Sequence, residues 1–240
     1  MGLNRKTLPY GLGAVGLGVL GLAVGDFALQ WQPVPKDIAF RTELACLSAA
    51  LLIVGGLAAA WKRTSALGSL GLGVMYAVWV VALHLPITLA DASQIASWNA
   101  VAEALALSLG GLVAWAAAAR PDLAPAGRHL FGLCAVVFAL AHFGYAKFTA
   151  SMVPAWLPAP LFWAYFTGVS HLAGGLALIA GVVPRLAATM LAVMYGSFAL
   201  ILHLPRVAAA PEARIEWTML FIATSLAGAA WAVRPERKGA

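Results

Sequence analysis

Four histidines, a lysine and a glutamate stand within or beside apolar runs of this chain: His84, Glu103, His142, Lys147, His171 and His203. Imidazole titrates near neutral pH, so such a set could move protons or hydrogen-bond the oxygens of a ligand. Ionisable groups at membrane depth cost a few kcal/mol each, so they are paired, close to an interface, or functional. The ordinary account of one intramembrane histidine is a hydrogen-bonded packing residue, and Lys147 can snorkel to water. What points to a shared site is the grouping of His142, His171 and His203 on neighbouring segments, with Glu103 and Lys147 to tune the charge.

Two of the histidines are related. VMYGSFALILHLP at Val193–Pro205 repeats VMYAVWVVALHLP at Val74–Pro86, with Tyr195/Tyr76, His203/His84 and Pro205/Pro86 in register. Trp217 follows His203 at the spacing by which Trp98 follows His84. Such a gapless run implies an internal duplication. Tyr195 and His203 are eight apart, which on a regular α-helix separates their directions by about 80° and their heights by about 12 Å. The tyrosine could therefore line the same groove or simply pack.

The elements that carry these residues are membrane helices. The 240 residues are 62% hydrophobic and 10% charged, with mean hydropathy +0.89, a composition of polytopic membrane proteins. Apolar runs predict eight transmembrane helices: Leu8–Leu29, Phe40–Trp61, Ala66–Leu89, Ile95–Ala119, then 129–149, 160–183, 186–208 and 214–233. RPDLAPAGR at Arg120–Arg128 reads as a linker. It separates a first four-helix unit, 1–119, from a second, 129–240. The run after Arg5 and Lys6 is too long for a signal peptide and reads as the first membrane helix. The pairs Gly55-Gly56, Gly110-Gly111 and Gly174-Gly175 suit close helix approach.

Lys and Arg set the orientation. With the amino terminus in the cytoplasm, that side holds Arg5, Lys6, Lys62, Arg63, Arg120, Arg128, Arg185, Arg234, Arg237 and Lys238. The other side holds Lys36, Arg41, Lys147, Arg206 and Arg214. The bias places both termini in the cytoplasm, and four helices per unit make the duplication parallel. Asp26, Glu43, His84, Glu103, His142, His171 and His203 then fall in the extracytoplasmic half. The pI near 9.7 reflects loop charges of this topological kind and excludes a nucleic-acid reading. Cys46 and Cys134 make no disulfide framework. CxxC, HExxH, Walker, GxGxxG and GxSxG motifs are absent. The histidines also lack the spacing along one helix that would mark a metal or haem site.

One family is recognisable in the second half. GYAKF at Gly144–Phe148, VPAWLP at Val153–Pro158, HLAGGLALIAG at His171–Gly181, PRLAAT at Pro184–Thr189 and LHLP at Leu202–Pro205 resemble one unit of the DoxX family of bacterial membrane proteins. The resemblance covers roughly 131–233 and is much weaker over 11–119. It implies four-helix units and a link to quinone-coupled or sulfur-related redox systems. Many members carry a Glu just before the Gly-Gly pair where this chain has His171, so a carboxylate role does not transfer. In the first half, Cys46 aligns roughly with His171.

The expectation is an all-α inner-membrane protein of two fused DoxX-like units in the lipid bilayer. Its second unit would hold a quinone-like or other small hydrophobic ligand near His142, Lys147, His171, Tyr195 and His203. His84 and Glu103 are further candidates, and His142, His171 and His203 would donate hydrogen bonds to ligand oxygens or move protons. Trp156, Phe162, Trp163, Tyr165 and Phe166 form an interfacial belt that could also flank a quinone ring. A membrane redox partner protein follows from that reading. The alternatives are a small-solute carrier and a non-catalytic assembly or anchoring subunit.

Overall fold

The structure, a computed structural model, describes residues 2–236. Arg237 and Lys238, which contribute to the charge bias, lie outside the described residues. The regular elements among the described residues are all helices, with no strand. The helices are α1 Leu8–Val24, α2 Arg41–Ala60, α3 Ser65–Ala90, α4 Ile95–Ala119, α5 Ala124–Gly144, the short α6 Ala146–Met152, α7 Pro160–Ile179, α8 Pro184–Ala209 and α9 Arg214–Val233. Seven of these, α2 to α5 and α7 to α9, are long and apolar enough to cross a membrane. The eighth apolar helix, α1, has 17 residues and is about 25 Å long.

Three boundaries differ from expectation by five residues each, for a local reason. Helix α1 stops at Val24, not Leu29, because Gly25 takes the left-handed conformation (φ 69°) and turns its N–H back to the Gly21 carbonyl. Helix α5 starts at Ala124, inside the segment read as linker, because Pro125 falls in the first turn, where its missing N–H is not needed. It ends at Gly144, and the chain breaks at Tyr145 before α6 begins. Residues 146–149 therefore belong to a separate short helix.

Neighbouring helices pack in a ring: α1 on α2, α2 on α3, α3 on α4, α4 on α5, α5 on α7, α7 on α8, α8 on α9 and α9 back on α1. Helices α4 and α9 also touch across the middle. Their spans are 61% and 56% buried, against 28–39% for the other five, so these two form the centre. Both are rich in small residues, which lets their backbones approach in a medium that supplies no hydrophobic drive between helices. A Cβ on Gly110 would lie 2.4 Å from Ala229 Cβ.

The same contacts recur in both halves. Helices α1 and α2 cross at Gly11 and Gly56, where a Cβ on either would sit 2.4–2.5 Å from the other's carbonyl oxygen. Helices α5 and α7 cross at Gly132 and Gly175 with 2.7 Å in both directions. Gly55 packs on Leu72 as Gly174 packs on Leu191. Trp98 Nε1 donates to the Ala92 carbonyl, and Trp217 Nε1 to the Pro211 carbonyl, each at 2.9 Å. This register pairs Gly56 with Gly175 and so puts Leu52, not Cys46, in the place of His171. The pair Gly174-Gly175 is occupied by helix packing.

The tightest crossing is α9 on α1, where a Cβ on Gly228 would meet Tyr10 N at 2.0 Å. Gly228→Ala should lower stability by about 1–3 kcal/mol, whereas Gly71→Ala, with nothing within 4 Å, should not. Thermal unfolding in detergent compares the two. Equal behaviour would contradict the packing.

Candidate functional site

His171 lies on α7, 2% exposed, and His142 near the end of α5 is half-buried. The Gly132–Gly175 crossing brings their helices close enough for the ring centroids to sit 4.6 Å apart, tilted by 44°. Tyr195 of α8 closes the group, 5.4 Å from His171 between centroids. Phe138 and Phe198 pack edgewise or tilted against His171 at 5.7 and 6.3 Å. The Tyr195 hydroxyl is buried and has no hydrogen-bond partner among the described residues.

The backbone decides what these imidazoles offer. His142 Nδ1 is 2.8 Å from the Phe138 carbonyl, and His171 Nδ1 is 2.8 Å from the Thr167 carbonyl, each one turn back on its own helix. A carbonyl only accepts, so each Nδ1 carries the proton and each neutral ring has its lone pair at Nε2. Of the two roles expected for these histidines, donating to ligand oxygens or moving protons, this tautomer favours the second, because Nε2 offers a lone pair. As neutral groups they accept, and the unpartnered Tyr195 O–H is the donor beside them. Among the described residues no group of three or more His, Cys, Asp or Glu side chains could hold a metal ion.

His203 and His84 belong to a different device. Each ends a π-helical turn, Trp79–His84 in α3 and Phe198–His203 in α8. The turns close with Leu85 N–H to the Val80 carbonyl and Leu204 N–H to the Ala199 carbonyl, five residues back. Pro86 and Pro205 follow at once; proline has no N–H to give and crowds the carbonyl four residues earlier, and the wider turn accommodates this. A π turn absorbs one residue, so the angular offset between Tyr195 and His203 falls from about 80° to about 20°. Both members of each pair are accordingly buried: Tyr76 0%, His84 4%, Tyr195 2% and His203 7%.

The two π-turn histidines have different neighbours. His84 Nε2 is 3.0 Å from the Trp31 carbonyl, so that nitrogen donates. Trp31 Nε1 then donates to Glu103 at 2.6 Å, and Asn99 Nδ2 donates to the other Glu103 oxygen at 2.9 Å. Trp31 comes from the α1–α2 loop, where Leu29–Trp31 forms a 3₁₀ turn. His203 lies beside a bidentate ion pair, Arg206 to Glu216, with both contacts at 2.8 Å, and its Nδ1 has no hydrogen-bond partner among the described residues. A cleft of about 240 Å³ opens there between α6 and the end of α8, lined by Val153, Trp156, Leu202 and Arg206.

Residues 123–204 match the model of the DoxX family. The later part of the chain is thus similar to the DoxX family. No curated protein and no solved structure gives a significant match. The DoxX span takes in α5, α6, α7 and α8 as far as Leu204, and with them His142, His171, Tyr195 and His203. The chain is a multi-pass membrane protein that contacts lipid through its apolar helices.

Of the residues singled out from sequence, the DoxX-matching span brings His142, His171 and Tyr195 into one group. His203 sits at the π turn with Arg206 and Glu216, while His84 and Glu103 are joined through Trp31 in the first half. Lys147 is exposed on α6, because the break at Tyr145 takes it off the α5 axis. Sequence reasoning missed Trp31, Asn99, Arg206 and Glu216. Arg206 enters the sequence reading only through the charge bias, and no motif or repeat singles out Trp31, Asn99 or Glu216.

A charge clamp closes the same end of the bundle as His203. Asp26 accepts from Arg41 Nη2 at 2.7 Å and faces Arg214 Nη1 at 3.4 Å. Arg214 Nη2 also donates to the Asp26 and Phe27 carbonyls, and Arg41 Nη1 to the Val34 and Pro35 carbonyls. The loop after α1 is thus tied to α2 and α9. Partial burial pushes the Asp26 carboxyl up, but the Phe27 amide, Arg214 and Arg41 together outweigh it and hold it below the ordinary 3.8. Its stabilisation is therefore present above the unfolded-state value and lost as pH falls through the lower folded-state value. In melting curves against pH, wild type should lose stability on this acid limb. Asp26→Asn should melt lower at neutral pH and lack that step; an unchanged acid limb would contradict the clamp.

Proposed function

We propose that this DoxX-family membrane protein is redox-linked and binds a quinone-type ligand, in its reduced quinol form, at His142, His171 and Tyr195. The observation that carries this reading is the pair of Nδ1–H bonds to backbone carbonyls, which leaves two imidazole lone pairs side by side in an apolar setting. A quinol hydroxyl donates to such a lone pair, whereas an oxidised quinone carbonyl must find a donor, and Tyr195 O–H is the one at hand. Half-buried His142 is the side of approach. The exposed aromatics Phe162, Tyr165 and Phe166, with Phe143 stacked on Tyr165 at 6.3 Å, give a flat surface for a ring arriving through lipid.

In this reading the histidines take the hydroxyl protons as the quinol is oxidised by a membrane redox partner. The Lys/Arg bias supports a site toward the extracytoplasmic face of a bacterial inner membrane. Helix α2 has Leu52 where α7 has His171, so the first unit keeps the scaffold without the imidazole pair.

The test is equilibrium binding of a short-chain benzoquinol and its oxidised quinone to the detergent-purified protein. The quinol should bind more tightly. His171→Leu should weaken it about tenfold, the effect of one hydrogen bond lost at an apolar site, while His171→Gln, which restores an acceptor, should recover part. Tyr195→Phe should affect the quinone more than the quinol. Equal binding of both forms to wild type and His171→Leu would remove the assignment and favour the carrier or the assembly subunit.

A further inference from the structure

At the end of the bundle opposite the Asp26 clamp, a cleft of about 380 Å³ lies between the start of α1, the start of α8 and the chain after α9. It is lined by Arg5, Lys6, Arg185, Arg234, Trp231, Pro235 and Glu236. We propose that this cleft binds the phosphate of an anionic phospholipid headgroup.

Charge is the first argument. Four basic side chains face one carboxylate, and that carboxylate, Glu236, is 80% exposed and 3.2 Å from Lys6. Among the described residues the lining is thus net cationic, with Glu236 at the rim. Order is the second. Arg185 Nη1 donates to the Pro235 carbonyl at 2.9 Å, and the Arg234 guanidinium lies 3.6 Å over the Trp231 ring. Two forks are held in place by protein contacts, and the planar guanidinium suits phosphate oxygens.

Location is the third argument. The cleft sits where three membrane helices begin or end, the depth of headgroup phosphates, and a tryptophan lines it as expected of that layer. Below Arg185, α8 presents exposed Leu186, Met190 and Val193 along one face, a surface for acyl chains. Basic pockets between membrane helices suit anionic headgroups. Its volume is at the small end for ligand sites and fits a phosphate with its ester neighbours. This inference is independent of the quinol reading.

Native mass spectrometry of the full chain, titrated with phosphatidylglycerol or phosphatidylcholine, tests it. Phosphatidylglycerol should be retained preferentially. Arg5→Gln and Arg185→Gln should each weaken retention about fivefold, the effect of one interfacial charge. Glu236→Gln should strengthen it; being at an exposed rim, this change bears no folding risk and keeps the test sharp if Arg185→Gln does not fold. Inorganic phosphate alone, occupying the cleft with no preference between the lipids, would assign the site to a soluble anion and overturn the lipid source. Equal retention of both lipids, or no response to Glu236→Gln, would overturn the cleft as a phosphate site.

Discussion

Inside a bilayer no water takes over a backbone hydrogen bond that the chain fails to make, and this constraint shapes the chain wherever it departs from a plain helix. Pro86 and Pro205 interrupt two long spans, and each span answers with a π turn. The turn does more than restore spacing. It rotates His84 and His203 inward, onto the side of Tyr76 and Tyr195. The same constraint acts on side chains: His142 and His171 commit Nδ1–H to carbonyls of their own helices. That commitment fixes the tautomers and makes the pair a set of acceptors.

Close packing then converts these local choices into a site. The crossing at Gly132 and Gly175 lets α5 and α7 meet backbone to backbone, and only at that distance can the two imidazoles stand 4.6 Å apart. The first half has the same crossing at Gly11 and Gly56, yet with Leu52 opposite it carries no such pair. There, Trp31 reaches in from the loop and satisfies His84 and Glu103. Both equivalent tyrosines, Tyr76 and Tyr195, keep a buried hydroxyl without a protein partner among the described residues, and in the second half His203 Nδ1 joins them.

Much of this was legible in the sequence. Apolar run length and the Val74–Pro86 repeat at Val193–Pro205 gave the membrane class, most helix positions and the equivalence of His84 with His203. Other parts were hidden because they depend on tertiary geometry. A regular 100° step set Tyr195 and His203 about 80° apart and left open whether they share a groove, and the π turn that brings them onto one side follows from proline sterics in context. Gly25 and Tyr145 end helices through backbone conformations that an apolar run does not reveal, so α1 was drawn too long and Lys147 was placed with the histidines. The tautomers could not be read at all, since they depend on which carbonyl each ring meets.

The most direct measurement is native mass spectrometry of the protein taken gently from quinone-containing membranes, beside a His142→Leu/His171→Leu variant. The account predicts an added mass matching a quinol on the wild type and its loss from the variant, with both chains folded. A bare wild-type chain, or the same adduct on both proteins, would contradict it.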